Sequence, residues 1–386
     1  MTLMSLGDAF LLNPYVPLPK GTVAPFVEMG ALRPFTRDVT TTTKKAYTGG
    51  TKFLDGDVLM ARITPSLENG KTSIYRAALG EVGPAFGSTE FIVVRGREGI
   101  SDSRFAYYLI TSTEVRDHAI ASMNGSSGRQ RVQHDSLASY EVDLPPLGEQ
   151  RAIAATLGAL DDKIESNRRV ISIASDLLDA IADLSSQDLE GAPLSELTDN
   201  SRSVVDPSRM GDELVDHFSL PAFDNAVWPE RTPATAIMSN KLMVDRPSIL
   251  ISRLNPRFNR TWWVVPEGKV IALASPEFSC LSAATRPELA ALWLAVRDRY
   301  FRGELTHRVT GTSGSHQRIR PDDLLSIEVP DTRHLSDAVK QRVLDLLDLI
   351  HLRRREIVEL TALRGSLLPE LLSGRIRVPE AEGAAI

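Results

Sequence analysis

Short apolar runs separated by turn residues fill two stretches of the chain and predict two β-rich domains. The runs lie at residues 58–63, 91–94, 249–254 and 270–273. Runs of this length bounded by Gly, Pro and Asn are typical of strands. Apolar residues at helical spacing also predict one helix inside each domain, the first over residues 105–115 and the second over residues 289–300.

A heptad pattern follows each β-rich stretch and predicts two long helices. The repeating positions that form the predicted seam are Leu157, Leu160, Ile164, Asn167, Ile171, Leu178, Val343, Leu346, Ile350, Ile357, Leu360 and Leu367. A 3.5-residue period with polar interruptions, here including Arg353 and Arg364, is typical of a coiled coil whose register the misfits fix. If the seams pair, the helices are antiparallel, with one domain at each end. The alternative is two amphipathic helices that pack on separate domains.

An internal repeat relates the two halves of the chain at a spacing of about 187 residues. The matching segments are residues 57–65 with 248–256, 88–91 with 275–278, 125–132 with 311–319, and 135–137 with 322–324. Because the later pairs keep an offset of 186 or 187 residues, we infer a tandem duplication.

These patterns together predict an α+β fold. We expect two tandem β-rich domains separated by two long antiparallel coiled-coil helices, with a pseudo-twofold internal repeat. The predicted segments are residues 1–147 for the first domain, 148–188 for the first helix, 189–332 for the second domain, 333–378 for the second helix and 379–386 for a tail. About 35 helical residues span roughly 50 Å, and two domains held at such a distance suit a periodic ligand such as duplex DNA.

The composition excludes several classes of protein. The single cysteine, Cys280, rules out an intrachain disulfide and a multi-cysteine zinc site. The longest apolar run, residues 289–296, is too short to cross a bilayer. No cationic residue precedes Lys20, so the N-terminus does not resemble a secretory signal. We therefore expect a reduced, cytoplasmic protein that makes no membrane contact.

The formal net charge of −6 at pH 7 argues at first against nucleic-acid binding. Arginines nevertheless cluster in the second predicted domain. They are Arg253, Arg257, Arg260, Arg297, Arg299, Arg302, Arg308, Arg318 and Arg320. Phosphate binding requires only a basic face, which a net acidic chain can carry.

Polar side chains beside the repeated glycine turns are the candidate DNA-binding residues. They are Arg129, Gln130, Arg131, Gln317, Arg318 and Arg320. Arginine pairs with guanine and glutamine with adenine through two hydrogen bonds each, and a loop lets such side chains reach a groove. Exposed solubilising charge is the alternative. Arg62 and Arg253 are weaker candidates, because they could instead pair with Glu90 and Glu277 inside each domain.

Motifs of catalysis are missing from the sequence. There is no Gly-x-Gly-x-x-Gly cradle and no Gly-x-x-x-x-Gly-Lys-Ser/Thr loop for a nucleotide, and the seven histidines show no metal-ligand spacing. The segment Asn13-Pro14-Tyr15 lacks the second proline of the adenine-methyltransferase motif. We therefore expect no catalytic residue, cofactor site or metal site in this chain.

Two further motifs resemble those of a known family. Residues 144–154 read Leu-Pro-Pro-Leu-Gly-Glu-Gln-Arg-Ala-Ile-Ala, and residues 160–165 read Leu-Asp-Asp-Lys-Ile-Glu. This run is similar to the central conserved region of the specificity (S) subunit of type I restriction-modification enzymes. Residues 363–378 resemble the distal conserved region of that family. The resemblance covers nearly the whole chain, although the second domain lacks the Pro-Pro…Glu-Gln signature at its end.

The resemblance implies a non-catalytic DNA-binding subunit with one target-recognition domain for each half of a bipartite site. Its helices would hold modification subunits, expected to be two, and restriction subunits, which contain a motor and an endonuclease. S-adenosylmethionine, ATP and magnesium are then expected on these partner subunits and not on this chain. The alternative is a stand-alone two-headed DNA-binding protein or a DNA-recognition adaptor of another defence complex.

Overall fold

A computed structural model describes residues 1–126, 128–185, 189–200, 203–309 and 317–378 of the chain. The predicted tail and most of the second glycine turn, residues 311–316, lie outside the described residues. The chain divides into two compact units. The first comprises Met1–Lys163 and the chain from Thr361 onward, and the second comprises Ile164–Leu360. Each unit thus contains part of both long helices, whereas the sequence assigned each whole helix to a segment of its own.

The first unit contains eleven described strands and four short helices. The strands are β1 (Thr2–Ser5), β2 (Phe10–Leu12), β3 (Val23–Val27), β4 (Asp38–Val39), β5 (Lys44–Ala46), β6 (Thr51–Phe53), β7 (Val58–Ala61), β8 (Thr72–Tyr75), β9 (Ala85–Gly87), β10 (Phe91–Gly96) and β11 (Glu141–Leu144). The helices are α1 (Leu6–Ala9), α2 (Ser103–Thr111), α3 (Thr113–Ala121) and α4 (His134–Ser139). The first long helix, α5 (Leu147–Ser185), begins one residue before the predicted boundary.

The second unit has a similar set of elements, with eleven described strands and five short helices. Its strands are β12 (Gly191–Pro193), β13 (Asp199–Asn200), β14 (Val204–Val205), β15 (Leu214–Phe218), β16 (Glu230–Pro233), β17 (Lys241–Met243), β18 (Ser248–Ser252), β19 (Thr261–Val264), β20 (Ile271–Ala274), β21 (Phe278–Ser282) and β22 (Glu328–Pro330). Its short helices are α6 (Leu194–Leu197), α7 (Leu220–Ala226), α8 (Arg286–Arg297), α9 (Arg299–His307) and α10 (Pro321–Leu325). The second long helix is α11 (Asp337–Leu372).

The two units share a strand order. The order β2-β10-β7-β8 in the first unit matches β13-β21-β18-β19 in the second. A parallel pair of strands also recurs, as β3 with β9 and as β15 with β20. In both units the first strand pairs with the last, β1 with β11 and β12 with β22. This correspondence agrees with the duplication inferred from the sequence, and the α+β class is confirmed.

The helix predicted inside each domain is two helices. Ser112 separates α2 from α3, and its hydroxyl accepts a hydrogen bond from the backbone N–H of Val115. Asp298 separates α8 from α9 and caps the second of them in the same way. The expectation of one continuous helix was therefore wrong, because a capping side chain satisfies the N–H groups of a new first turn at each position.

The long helices enter the core of each unit. Leu157 of α5 and Leu371 of α11 are buried with Phe105 and Tyr108 in the first unit. The end of α5 and the start of α11 are buried with α8 in the second unit. Burying one such side chain contributes about 1.5–3 kcal/mol. The start of one helix thus shares a unit with the end of the other, as in an antiparallel pair.

The predicted seam positions are all withdrawn from solvent to some degree. Those that are buried are Leu157, Ile164, Asn167, Leu178, Val343 and Ile350. Those that are half-buried are Leu160, Ile171, Leu346, Ile357, Leu360 and Leu367. The same helices also pack on the β-rich domains. The alternative, in which amphipathic helices pack on separate domains, therefore accounts for part of the burial of these positions. None of the described helices combines the length and the apolar character that a membrane span requires.

Candidate nucleic-acid interface

The first glycine turn forms the tip of a closed loop. Asn124 and Arg131 exchange two backbone hydrogen bonds of 3.1 and 2.9 Å across the base of this loop. Gly125 has a φ of 137°, which an L side chain rarely adopts, so glycine is required there. Arg129 is exposed near the tip. The turn therefore presents polar side chains on a loop whose base is fixed.

Arg131 is held by a carboxylate. Its Nε donates to both oxygens of Glu90 at 3.0 Å, and its Nη2 donates to Oε1 at 2.6 Å. These hydrogen bonds hold the pKa of the Glu90 carboxyl below its usual value. The side chain of Arg131 remains 40% exposed. An ion pair this exposed adds little to folding stability, so its main consequence is the orientation of the guanidinium.

The orientation of Arg131 suits recognition of a base edge. Arginine has five N–H donors, and Glu90 engages the edge formed by Nε and Nη2. The Nη1 group makes only a long hydrogen bond of 3.4 Å to the Arg129 carbonyl. The Nη1–Nη2 edge can therefore present two donors to guanine, which accepts through O6 and N7.

The second unit repeats this arrangement. The Nη2 of Arg318 donates to Oε1 of Glu277 at 2.7 Å, and the Arg318 side chain is 53% exposed. The backbone N–H of Asn255 donates to the backbone carbonyl of Gln317 at 2.8 Å. In the first unit, the backbone N–H of Thr64 donates in the same way to the carbonyl of Gln130 at 3.0 Å. The two sites therefore share both an ion pair and a backbone connection between a hairpin turn and a loop.

Arg62 and Arg253 occupy equivalent backbone positions but are not the main partners of the two glutamates. The backbone N–H of Arg62 donates to the Glu90 carbonyl at 2.9 Å, and that of Arg253 donates to the Glu277 carbonyl at 2.8 Å. The Arg62 side chain lies 3.6 Å from the Glu90 carboxylate, and an Nη2 of Arg253 contacts the Pro276 carbonyl. Arg62 thus lies within ion-pair distance of Glu90, as the sequence suggested, and the loop arginines make the shorter hydrogen bonds to the two glutamates.

The remaining candidates lie nearby in sequence but differ in environment. Gln130 is half-buried, and its backbone N–H donates to the Thr64 hydroxyl at 3.2 Å. Arg320 is exposed and precedes α10 as its N-terminal cap residue. The structure thus brings Arg62, Gln130 and Arg131 together in one unit, and it brings their counterparts together in the other.

The sequence did not single out Glu90 and Glu277 as orienting residues. Both glutamates lie in the repeated Ser-x-Glu-Phe segment, at positions 88–91 and 275–278. The backbone N–H of each glutamate donates to the hydroxyl of the serine two residues earlier, at 3.1 and 3.3 Å. The recurrence of this segment was the signal that could have identified them.

A buried polar network attaches the first domain to both long helices. The Tyr108 hydroxyl donates to Asp161 of α5 at 2.7 Å, and Arg364 of α11 pairs with the same carboxylate. Arg37 donates to the Gly158 carbonyl at 2.9 Å. Burial opposes the charged form of Arg364, yet Asp161 raises its pKa above the ordinary value. Arg364, which interrupts the heptad, is therefore a partner of the opposite helix.

Two other polar residues, Arg353 and Asn167, interrupt the heptad, and neither has a hydrogen bond to the opposite helix among the described contacts. Arg353 donates to Glu356 of its own helix at 2.8 Å. Asn167 is buried, and its Nδ2 makes no hydrogen bond within the described part of the chain. A buried amide without a partner costs stability, as register-fixing polar residues in coiled coils do.

Part of the chain is similar to a family of known proteins. Residues 17–173 match the family described as the type I restriction modification DNA specificity domain. The specificity subunit of the Escherichia coli type I restriction enzyme EcoEI is 34% identical over 117 residues, which are 30% of this chain and 19% of that protein. The EcoAI specificity subunit of Escherichia coli is 30% identical over 178 residues, 45% of this chain and 27% of that protein. The matched segments thus span about a fifth to a quarter of these relatives.

One solved structure resembles the whole described fold. The S subunit of a type I restriction-modification system from M. genitalium superposes with a TM-score of 0.57 at 15% sequence identity, over 96% of this chain and 95% of that one. At this identity the likeness concerns the fold alone.

Proposed function

We propose that this chain reads a bipartite duplex target for a type I restriction-modification complex, because its residues 17–173 match the specificity domain of such systems. Each unit reads one half-site through its loop arginine and glutamine. The chain itself is non-catalytic, and the chemistry on DNA belongs to its partners.

The main support for this proposal is that the second unit repeats the strand order and the glutamate–arginine pair of the first unit. The second unit lies almost entirely beyond the matched residues, yet it has the same strand order and the same glutamate–arginine pair on a loop. Two domains with equivalent polar loops can engage two separate groups of base pairs. Sequence differences between the loops, such as Arg129 against His316 before the glutamine, favour two different half-sites.

The long helices offer a surface for partner subunits. Ile173, Leu177 and Leu184 of α5 recur at heptad spacing on the side away from the seam, and they are 68%, 46% and 71% exposed. Apolar side chains exposed in a row mark a protein contact. We assign this contact to modification subunits, two in number, that bind S-adenosylmethionine and methylate adenine. Restriction subunits that use ATP and magnesium would join the same assembly.

Methylome sequencing tests the proposal directly. A host that carries this chain together with the modification subunit should gain adenine methylation at one bipartite sequence. The same host without this chain should lack that methylation. If the methylated sequence is identical with and without the chain, the chain does not determine specificity. Tight binding of one duplex by the isolated chain, without any effect on methylation, would favour a stand-alone DNA-binding protein.

A further inference from the structure

An exposed phenylalanine sits at the tip of the β18–β19 hairpin, beside the candidate reading loop of the second unit. The tip contains a single turn of 3₁₀-helix, Pro256–Phe258, between Asn255 and Asn259. Both asparagines have a left-handed backbone, with φ of 49° and 45°. Pro256 is buried and anchors the turn, whereas Phe258 is 54% exposed. Much of the apolar surface of this ring therefore remains exposed to solvent in the folded protein.

Two guanidinium groups flank the ring of Phe258. The Cζ atoms of Arg257 and Arg260 lie 4.8 and 4.9 Å from the ring centroid. Arg260 is fixed by Asp224, to which its Nε and Nη2 donate at 2.6 and 2.8 Å. Arg257 is exposed. An apolar ring beside two cations matches a ligand with apolar faces bordered by negative charge, and a base step between phosphates is such a ligand.

The tip is joined to the residues predicted to read bases. Asn255 donates its backbone N–H to Gln317, and Leu254 forms an isolated β-bridge with Arg318. Phe258 follows Asn255 by three residues of 3₁₀-helix, which advance about 6 Å. That distance is less than two base steps of about 3.4 Å. A ring at this place would meet the duplex within about two base pairs of the base that Arg318 contacts.

The first unit has an exposed phenylalanine at the corresponding place, supplied by another part of the chain. Phe35 is 51% exposed and has a φ of 51°. Its backbone N–H donates to Gly70 at 3.0 Å, in the turn between β7 and β8 that corresponds to the β18–β19 turn. A Cβ on Gly70 would lie 2.5 Å from the Phe35 ring, so the glycine makes room for it. The Arg116 guanidinium lies 5.5 Å from this ring.

We propose that Phe258 and Phe35 are aromatic wedges, each of which inserts between two base pairs of the half-site that its unit reads. Arg257 beside Phe258 and Arg116 beside Phe35 offer positive charge to the phosphates of the opened step. This inference rests on the proposed function, because it assumes that each unit lies on duplex DNA. It adds a residue in each unit that distorts the DNA and selects for base steps that unstack readily.

Fluorescence of 2-aminopurine tests the wedge, since unstacking increases its emission. The probe is a duplex containing the target from the methylome, with 2-aminopurine placed at one adenine at a time in and beside each half-site. With the complete methyltransferase complex, emission should rise at a step within about two base pairs of the Arg318 contact. Phe258→Ala should abolish that rise and weaken binding of this duplex about 10-fold. Phe258→Trp should retain both.

Matched variants separate a wedge from a general surface effect. Met238→Ala removes a more exposed apolar side chain of the second unit, 94% exposed, and should change neither emission nor affinity. Phe35→Ala should abolish the rise in 2-aminopurine emission in the other half-site only. Tyr15→Ala, which changes a residue that is 86% exposed in the same unit, should leave that rise unchanged. All four side chains are exposed, so the thermal unfolding midpoint should stay at the wild-type value.

Three results would overturn the proposal. If Phe258→Ala retains affinity and emission while the wild-type complex binds its target, there is no wedge and the proposed function stands. If Phe258→Ala instead loses assembly with the modification subunit, the ring is a protein contact. If the wild-type complex binds no duplex specifically, the proposed function fails, and the wedge fails with it.

Discussion

At the scale of single residues, the proposed function gives the two glutamate–arginine pairs the task of setting what the loops recognise. A flexible arginine that must be ordered on binding loses rotamer freedom, whereas Glu90 and Glu277 already orient Arg131 and Arg318. Lysine cannot reproduce this geometry, because it lacks the planar fork that engages a carboxylate and a base edge at once. The pair is therefore a device for specificity.

Substitution of Arg131 should separate base recognition from phosphate contact. Arg131→Ala should weaken binding of the matched duplex by about 10- to 100-fold and relax the preference in one half-site only. Arg131→Lys should retain the salt dependence of binding but lose the base preference. Titrations of matched and scrambled duplexes over a salt series measure both quantities. Arg318→Ala should give the same result in the other half-site.

A different outcome would assign Arg131 to the DNA backbone. In that case Arg131→Ala weakens all sequences equally and lowers the salt slope by about one unit, and Arg131→Lys restores binding. Wild-type affinity, slope and preference in the alanine variants would show that these loops do not touch DNA. Glu90→Gln tests the orientation separately, since it leaves the Arg131 charge in place and replaces the carboxylate that holds it with a neutral amide.

At the scale of elements, the network around Asp161 joins α2, α5 and α11 of the first unit. Tyr108, Asp161 and Arg364 are largely buried, so each polar group depends on the others for its hydrogen bonds. Burial raises the pKa of Tyr108, and the negative charge of Asp161 raises it further, so this phenol remains a hydrogen-bond donor at neutral pH. The network therefore adds a polar attachment to the apolar contact that Leu157 and Leu371 make with the first domain.

Removal of Asp161 should destabilise the protein strongly. Asp161→Ala leaves the Arg364 guanidinium buried without its partner, and a broken pair of this kind typically costs about 3–5 kcal/mol. The neighbouring Asp162→Ala is the matched control, because Asp162 is 70% exposed and should cost under about 1 kcal/mol. Urea denaturation followed by circular dichroism gives both values. Equal stability of the two variants would show that the buried network does not hold the helices.

Local patterns predicted the parts of the fold in which sequence neighbours interact. The strands β7, β10, β18 and β20 were recognised because each contains a short apolar run bounded by turn residues. The pairing of β1 with β11 was not foreseen, since Thr2 and Leu144 are far apart in the chain. The break at Ser112 was missed because serine caps a helix as readily as it continues one.

The candidate sites were predicted in part for the same reason. Arg131 and Arg318 were found because the glycine turns repeat, but the sequence could not show that Glu90 and Glu277 hold them. Phe35 and Phe258 escaped detection because they arise at unrelated positions of the repeat and meet equivalent turns only in three dimensions. Residues that converge from different segments have no periodic signature.

At the scale of the whole molecule, the proposed division of labour predicts an inactive isolated chain. The purified protein with S-adenosylmethionine and target duplex should transfer no methyl group, and with ATP it should release no phosphate. Addition of the modification subunit should start methyl transfer, which radiolabelled S-adenosylmethionine detects. Methylation by this chain without a second protein would contradict its assignment as a non-catalytic subunit.

The two compact units also predict that the half-sites can be exchanged independently. Replacing residues 1–143 with the corresponding domain of another specificity subunit should change one half of the methylated sequence and leave the other half unchanged. The graft has to keep Arg37 and Tyr108, or their counterparts, because these side chains dock the domain on Gly158 and Asp161 of α5. A graft without them should assemble poorly, and this outcome separates a docking failure from a recognition failure.

Methylome sequencing of hosts with the graft and with the parent chain gives the result directly. A changed first half-site with an unchanged second one means that recognition by each unit depends on its own loops, as the separate glutamate–arginine pairs indicate. The complementary graft of residues 189–332 should change the other half. If either graft alters both halves, then the two units do not read independently, and the repeated loops would have to act as one combined site on the DNA.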